Sequence, residues 1–278
     1  MNRHTGEKVP KTPQGHHHMG VSQNQYEHIG TFLNRTSGDP ATKVRTQRNR
    51  INQLLLLLIS VTEIVQNFLP SLRRHLLDRV IDDTNALHAH AEHNPGDVLF
   101  KHDRMYAHNI LWINYTTYDV RRSQDVVNAS TSHCNVMILA DRADRDDDRD
   151  TNRFRYARIL GVYHINVVYI GPGMVDYQPR RMEFLWVRWY QNLGTTSTAW
   201  RECKLDSIRF LPVADEDAFG FINPSDVLRG CHVIPSFARG KAHPDGRGLS
   251  LCARDSLDWA AYYVNRCVHF VHEIVAFT

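Results

Sequence analysis

The chain is poor in cysteine, and what it has is not arranged to cross-link or to hold zinc. The five, Cys134, Cys203, Cys231, Cys252 and Cys267, are odd in number and widely spread, with no C-x-x-C pair, which argues against a disulfide framework or a zinc ribbon. A strong charge of one sign is also missing. Lys and Arg number 33 against 30 Asp and Glu, a formal charge of +3, far from the basic surplus of domains that bind by neutralising phosphates. No apolar run reaches the about 20 residues of a membrane span; the most apolar, Leu54 to Ile59, is hemmed by Asn52, Gln53, Thr62 and Glu63. Residues 1–20 are polar and lack the apolar centre of a secretory leader, so the chain is expected inside the cell, in a reducing compartment and away from membranes.

Motifs of the common chemistries are absent as well. There is no G-x-x-x-x-G-K-S/T, no G-x-G-x-x-G after a strand, no G-x-S-x-G and no H-E-x-x-H, so nucleotide, hydrolase and zinc-protease sites have no support. The acidic stretch Asp141 to Asp150 lacks the glycine and terminal glutamate of a calcium loop. It reads as a solvated surface loop. His269, His272 and Glu273 are ligands by type only, and Cys231-His232 reads as a small buried thiol beside a polar ring. No catalytic residue, metal, cofactor or small-molecule substrate is expected.

What is present is ordinary globular material: 278 residues, 42% hydrophobic and 23% charged. Residues 1–50 are rich in Gly, Pro, Thr, Asn, Gln and basic side chains, a composition that cannot offset the entropy of ordering, and are expected to be a mostly disordered arm, the triplet His16-His17-His18 included. Lys43, Arg45, Arg48 and Arg50 form a basic cluster that either touches nucleic-acid phosphates or is a solvated flank. Residues 51–93 read as helical. One helix is expected over Ile51 to Phe68, stopped by Pro70, and a second from Ser71, where Leu72, Leu76 and Val80, widened by Leu77 and Ile81, make an apolar stripe that must dock on something. Asn94-Pro95-Gly96-Asp97 is a turn cluster and a boundary.

From 96 to 278 the pattern becomes β-like, with short runs at Ile110 to Thr117, Asn135 to Ala140, Arg155 to Ile170, Met182 to Tyr190, Ile208 to Val213 and Ala260 to Phe270. Arg155 to Ile170 alternates as a strand with one buried face, and Gly161 in its middle predicts a bulge or bend. Met182 to Tyr190 is apolar on both parities, as a strand covered on two sides should be. The expected fold is mainly β, a small barrel preceded by a helical, partly disordered N-terminal arm.

Several phrases resemble the C-terminal region of Plavaka-type transposon proteins of mushroom-forming fungi: Thr31 to Pro40, Asn114 to Asp125, Tyr156 to Ile159, Arg181 to Tyr190, Phe219 to Pro235 and Tyr262 to Arg266. The resemblance implies a piece of a mobile-element protein whose ribonuclease-H-like catalytic core lies upstream. Thr42 to Gln66 looks inserted against that pattern, and Cys267 to Glu273 departs from it. Tyr156 to Ile159, Val187 to Tyr190, Asp226 to Val233 and Tyr262 to Asn265 are also similar, in order and spacing, to a bromo-adjacent homology (BAH) domain, a β-barrel that reads chromatin. That resemblance implies a BAH-like barrel with an aromatic cage formed by Tyr163, Trp189 and Tyr190. The expected function is therefore a non-catalytic chromatin- or DNA-targeting module, a transposase remnant in the nucleus, whose partner is a chromatin protein such as a methylated histone tail, or DNA. The competing readings are a metal-dependent nuclease or transposase fragment, and an inactive pseudogene-like product that aggregates through its leucine run.

Overall fold

In the computed structural model of the chain, the described residues are 15–22, 26–37, 67–81, 93–116, 122–140, 154–172, 176–193, 205–250 and 252–265. The protein is mainly β, with every strand pairing antiparallel. In chain order the strands are β1 His17–Met19, β2 Tyr26–His28, β3 Val98–His108, β4 Leu111–Thr116, β5 Arg122–Val127, β6 Asn135–Leu139, β7 Phe154–Tyr169 and β8 Arg180–Asn192. They continue with β9 Asp206–Phe210, β10 Phe219–Ile222, β11 Val227–Gly230, β12 His232–Pro235 and β13 Tyr262–Asn265. Helix α1 is Ile29–Ser37, and residues 67–81 form α2.

The long strands β7 and β8 make the spine. Each serves two neighbours along its length: β7 pairs β6 at 154–158 and β3 at 162–165 and 167–169, while β8 pairs β10 at 185–188 and β9 at 190–192. The register of β7 against β8 shifts between Ile159 and Gly161. That is the bulge the glycine predicts, and it is needed there because a Cβ on Gly161 would overlap the Tyr163 ring. The main sheet runs β11-β6-β7-β8-β9-β13-β12, and a smaller sheet runs β1-β4-β5.

The expected barrel does not close. The two terminal strands of the main sheet, β11 and β12, are consecutive stretches of chain joined end to end at Cys231. They pair with β6 and β13 respectively and not side by side with each other.

Three apolar clusters fill the fold. In the first, Ile29 and Phe32 of α1 and Phe68, Leu72, Leu76, Leu77 and Val80 of α2 pack on Met105, Ile165, Met182, Phe184 and Trp186, so the leucine stripe docks on the sheet. The second lies between the sheets, around Leu111, Ile113, Ile159, Leu185, Val187 and Trp189. The third gathers Met137, Tyr156, Tyr190, Phe210, Tyr262 and Val264. Strand β8 borders all three, which is why both of its parities are apolar.

Two expectations about the first 93 residues are corrected. Parts of the segment read as a disordered arm belong to the fold: β1 pairs β4, β2 pairs β3, and Ile29 and Phe32 are buried. The histidine triplet is fixed rather than loose, with His16 Nε2 bonded to the Val227 carbonyl at 2.7 Å, His17 Nε2 to Glu183 at 3.1 Å, and His18 stacked on Trp112 at 4.6 Å. Pro70 does not stop a helix, because 67–81 is helical through it. The segment Asn94–Asp97 is a capped 3-10 turn, as its composition indicates. Lys43, Arg45, Arg48 and Arg50, the leucine run, the acidic stretch 141–150 and residues 266–278 lie outside the described residues.

Candidate functional site

The cage residues are not brought together. Tyr163 is half-buried against Phe32 and Phe184 in the first cluster. Trp189 belongs to the second cluster, with the Arg155 guanidinium 4.1 Å from its ring. Tyr190 is in the third, stacked on Phe210 at 4.0 Å, and its hydroxyl donates to Asn135 Oδ1 at 2.9 Å; burial pushes that phenol well above its ordinary range. The physical reason is the period of a strand: neighbours such as Trp189 and Tyr190 point to opposite faces and cannot wall one cage.

An aromatic pocket does exist, built from other residues. After β9 the chain turns at Pro212, whose carbonyl accepts from the Asp215 N–H at 2.9 Å. Asp215 then caps the 3-10 turn Glu216–Ala218, its Oδ1 accepting from the Asp217 N–H at 3.0 Å. Val213 and Ala218 anchor this turn by burial, which leaves Asp215 and Glu216 exposed. The chain next enters β10, where Phe219 and Phe221 alternate onto one face. Gly220 between them is required by Trp189, whose Nε1 would lie 2.6 Å from a Cβ at that position.

Phe221 sits opposite Trp186 of β8. The start of the described part of α2 completes the wall: Phe68 meets Trp186 edge-on at 5.4 Å and Phe221 at 5.1 Å, while Trp186 lies 6.2 Å from Phe219. Asn67, Ser71 and the turn residues close a cavity of about 340 Å³ lined by four aromatic rings and two carboxylates. Such a site attracts a cation twice over, through the ring faces and through the acidic rim.

A larger cleft of about 560 Å³ lies between the β5–β6 turn and the β11–β12 junction. At its edge Asp125 accepts from Arg229 Nε at 2.9 Å and from the Gly230 N–H at 3.0 Å, and the Arg229 guanidinium covers the Tyr115 ring at 3.5 Å. Its thiol is inert. Burial, and then Cys134 and Asp125, push the Cys231 thiol far up, so it stays a thiol. The smaller pocket is the better candidate because four aromatic rings and two exposed carboxylates line one cavity there. Among the described residues no three His, Cys, Asp or Glu side chains are grouped to hold a metal ion, and no helix is long and apolar enough to cross a membrane.

This pocket was missed in the sequence, although one signal of it stands there, Phe219-Gly220-Phe221 one residue after the acidic turn Asp215-Glu216-Asp217. The contribution of Phe68 has no such signal, since it comes from a helix far away in the chain. No protein family model, curated protein or solved structure matches the chain.

Proposed function

We propose that the chain is a non-catalytic recognition module whose pocket between α2, β8 and β10 takes the alkylated ammonium of a modified lysine on a chromatin protein. The observation that carries this reading is the convergence of Phe68, Trp186, Phe219 and Phe221 with Asp215 and Glu216 around one cavity. A desolvated cation over ring faces gains about 2 kcal/mol or more, roughly thirtyfold in affinity. Methylation removes N–H donors from the ammonium and makes it easier to strip of water, so an alkylated lysine suits the rings better than a bare one. The resemblance to BAH domains and to Plavaka-type proteins supports a chromatin partner and a nuclear location.

Calorimetry with a panel of histone peptides tests the reading. A peptide carrying trimethyl-lysine should bind, its unmodified counterpart should bind more weakly, and Phe219→Ala should lose about tenfold or more. Silence across the panel, or a hit that survives Phe219→Ala, overturns it.

A further inference from the structure

The segment between β12 and β13 sorts its charges by sign. Its backbone is folded back on itself: the Ser236 N–H donates to the Ala261 carbonyl at 2.9 Å, the Ala242 N–H to the Asp258 carbonyl at 2.8 Å, and Lys241 forms a bridge with Trp259. Two of its carboxylates face inward. Asp255 is buried and accepts from the Leu249 and Ser250 N–H groups at 2.8 and 3.2 Å. Asp258 is buried and takes both Arg158 and Arg188. Of its four Lys and Arg, Arg254 donates to the Ala129 and Leu160 carbonyls, while Arg239, Lys241 and Arg247 face outward, each exposed, with no carboxylate partner among the described residues. The remaining carboxylate, Asp245, is exposed and caps the Arg247 N–H at 3.1 Å.

Beside Arg239 and Lys241 stands an aromatic pair. Phe237 is 69% exposed, which is unusual for a large ring. Trp259 is half-buried and meets it edge-on, 5.0 Å between centroids at 84°. The indole steadies the phenyl ring, most of whose surface stays open. Arg239 follows Phe237 by two residues in the same 3-10 turn, and Gly240, at φ 74°, swings the chain so that Lys241 comes alongside Trp259.

We infer that this surface binds single-stranded nucleic acid, with phosphates on Arg239, Lys241 and Arg247 and a base stacked on Phe237. Cations without partners next to an open ring face are what a strand requires: the charges track the backbone, and the ring accepts any base because every base has a π-face. The proposal goes beyond the ammonium pocket and does not depend on it. An anionic membrane offers the same charge, but would use the exposed Leu257 as well as the ring.

Fluorescence anisotropy of a labelled oligothymidylate with the full chain tests the inference. Binding should weaken with salt, log K falling against log salt with a slope of about −2, as for three phosphate contacts on a single strand. Phe237→Ala should cost about tenfold, within the range of one stacked base, and Arg239→Ala with Lys241→Ala should flatten the slope. Leu257→Ser should change nothing. The substituted side chains are exposed, so an unchanged unfolding midpoint certifies each variant, and the charge variants stand in if Phe237→Ala does not fold. No binding at low salt, binding indifferent to all of these loop variants, or preferential binding to anionic phospholipid vesicles that Leu257→Ser abolishes would each overturn the proposal.

Discussion

Arg188 Nη1 lies 2.6 Å from Asp258 Oδ2 with both side chains buried, and Arg158 Nη1 reaches the other oxygen of the same carboxylate at 2.7 Å. One carboxylate thus answers two guanidiniums, both of which also lie about one ring thickness from Phe210, at 4.0 and 4.3 Å. The Tyr262 hydroxyl donates to Asp258 as well, at 3.2 Å. The cluster ties the segment before β13 to the centre of the sheet, at the cross-strand pair Arg158 and Arg188.

Asp258→Ala should therefore destabilise the fold strongly. Removing one partner leaves buried charge uncompensated, at a cost of about 3–5 kcal/mol. Urea denaturation measures it, and a loss under 1 kcal/mol (a surface-pair value) would show that water reaches these arginines.

A second prediction concerns the bulge. Gly161→Ala drives a Cβ into the Tyr163 ring and should cost about 1–3 kcal/mol, the usual penalty of overpacking. Combining it with Tyr163→Ala should cost less than the two single changes added together. Strict additivity in thermal unfolding would mean the ring does not press on this glycine.

Stability should also depend on pH in a defined window. His108 and His164 are buried side by side, Nε2 to Nδ1 at 2.6 Å, with His108 Nδ1 2.5 Å from the Gly20 carbonyl, an arrangement two neutral rings satisfy when His164 Nδ1–H donates to His108 Nε2. Burial, then Arg181 and His108, lowers His164 to about 4, and burial, then Arg79, lowers His75 to about 4. Burial likewise lowers His108. On unfolding these rings regain the ordinary value near 6.5 and take up protons. Their contribution is complete above about pH 6.5 and is lost as pH falls toward 4, by about 1.4 kcal/mol per pH unit for each extra proton the unfolded chain binds. Glu183 acts lower down: the His17 hydrogen bond, then Arg181, depresses it to about 2, so its contribution holds above the ordinary carboxylate range and is lost on the way to pH 2. Denaturation curves from neutral to acid pH check the window, and His164→Asn should reduce the slope between about pH 6.5 and 4.

How much of this was legible in the sequence depends on where the stabilising contacts come from. β7 and β8 were readable because alternation and double-sided apolarity are local patterns, and the α2 stripe because its spacing is. β3 escaped notice because Lys101 to Arg104 interrupt it, and the structure shows why that is allowed: His102 and Asp103 take left-handed φ of 58° and 52° inside a register shift between Phe100 and Met105. β1, β2 and α1 are held by partners distant in the chain, so their polar composition read as disorder. The expected cage failed for a rule the sequence did contain, the opposite facing of adjacent strand residues. The pocket that replaces it needs Phe68 and Phe221 side by side, which no local pattern encodes.

The acidic rim makes its own prediction. Asp215→Asn with Glu216→Gln should weaken a cationic ligand several-fold at low salt and much less at high salt, because exposed charges are screened. A salt-independent loss in calorimetry would assign these side chains a structural role.

The measurement that tests the central claim most directly is the NMR spectrum of the protein titrated with a trimethyl-lysine histone peptide. The indole signal of Trp186 and the ring signals of Phe219 and Phe221 should shift together along one binding curve, while Tyr190, in another cluster, stays in place. Shifts confined to Tyr163, Trp189 and Tyr190, or no shift at Trp186 at saturating peptide, would contradict the account.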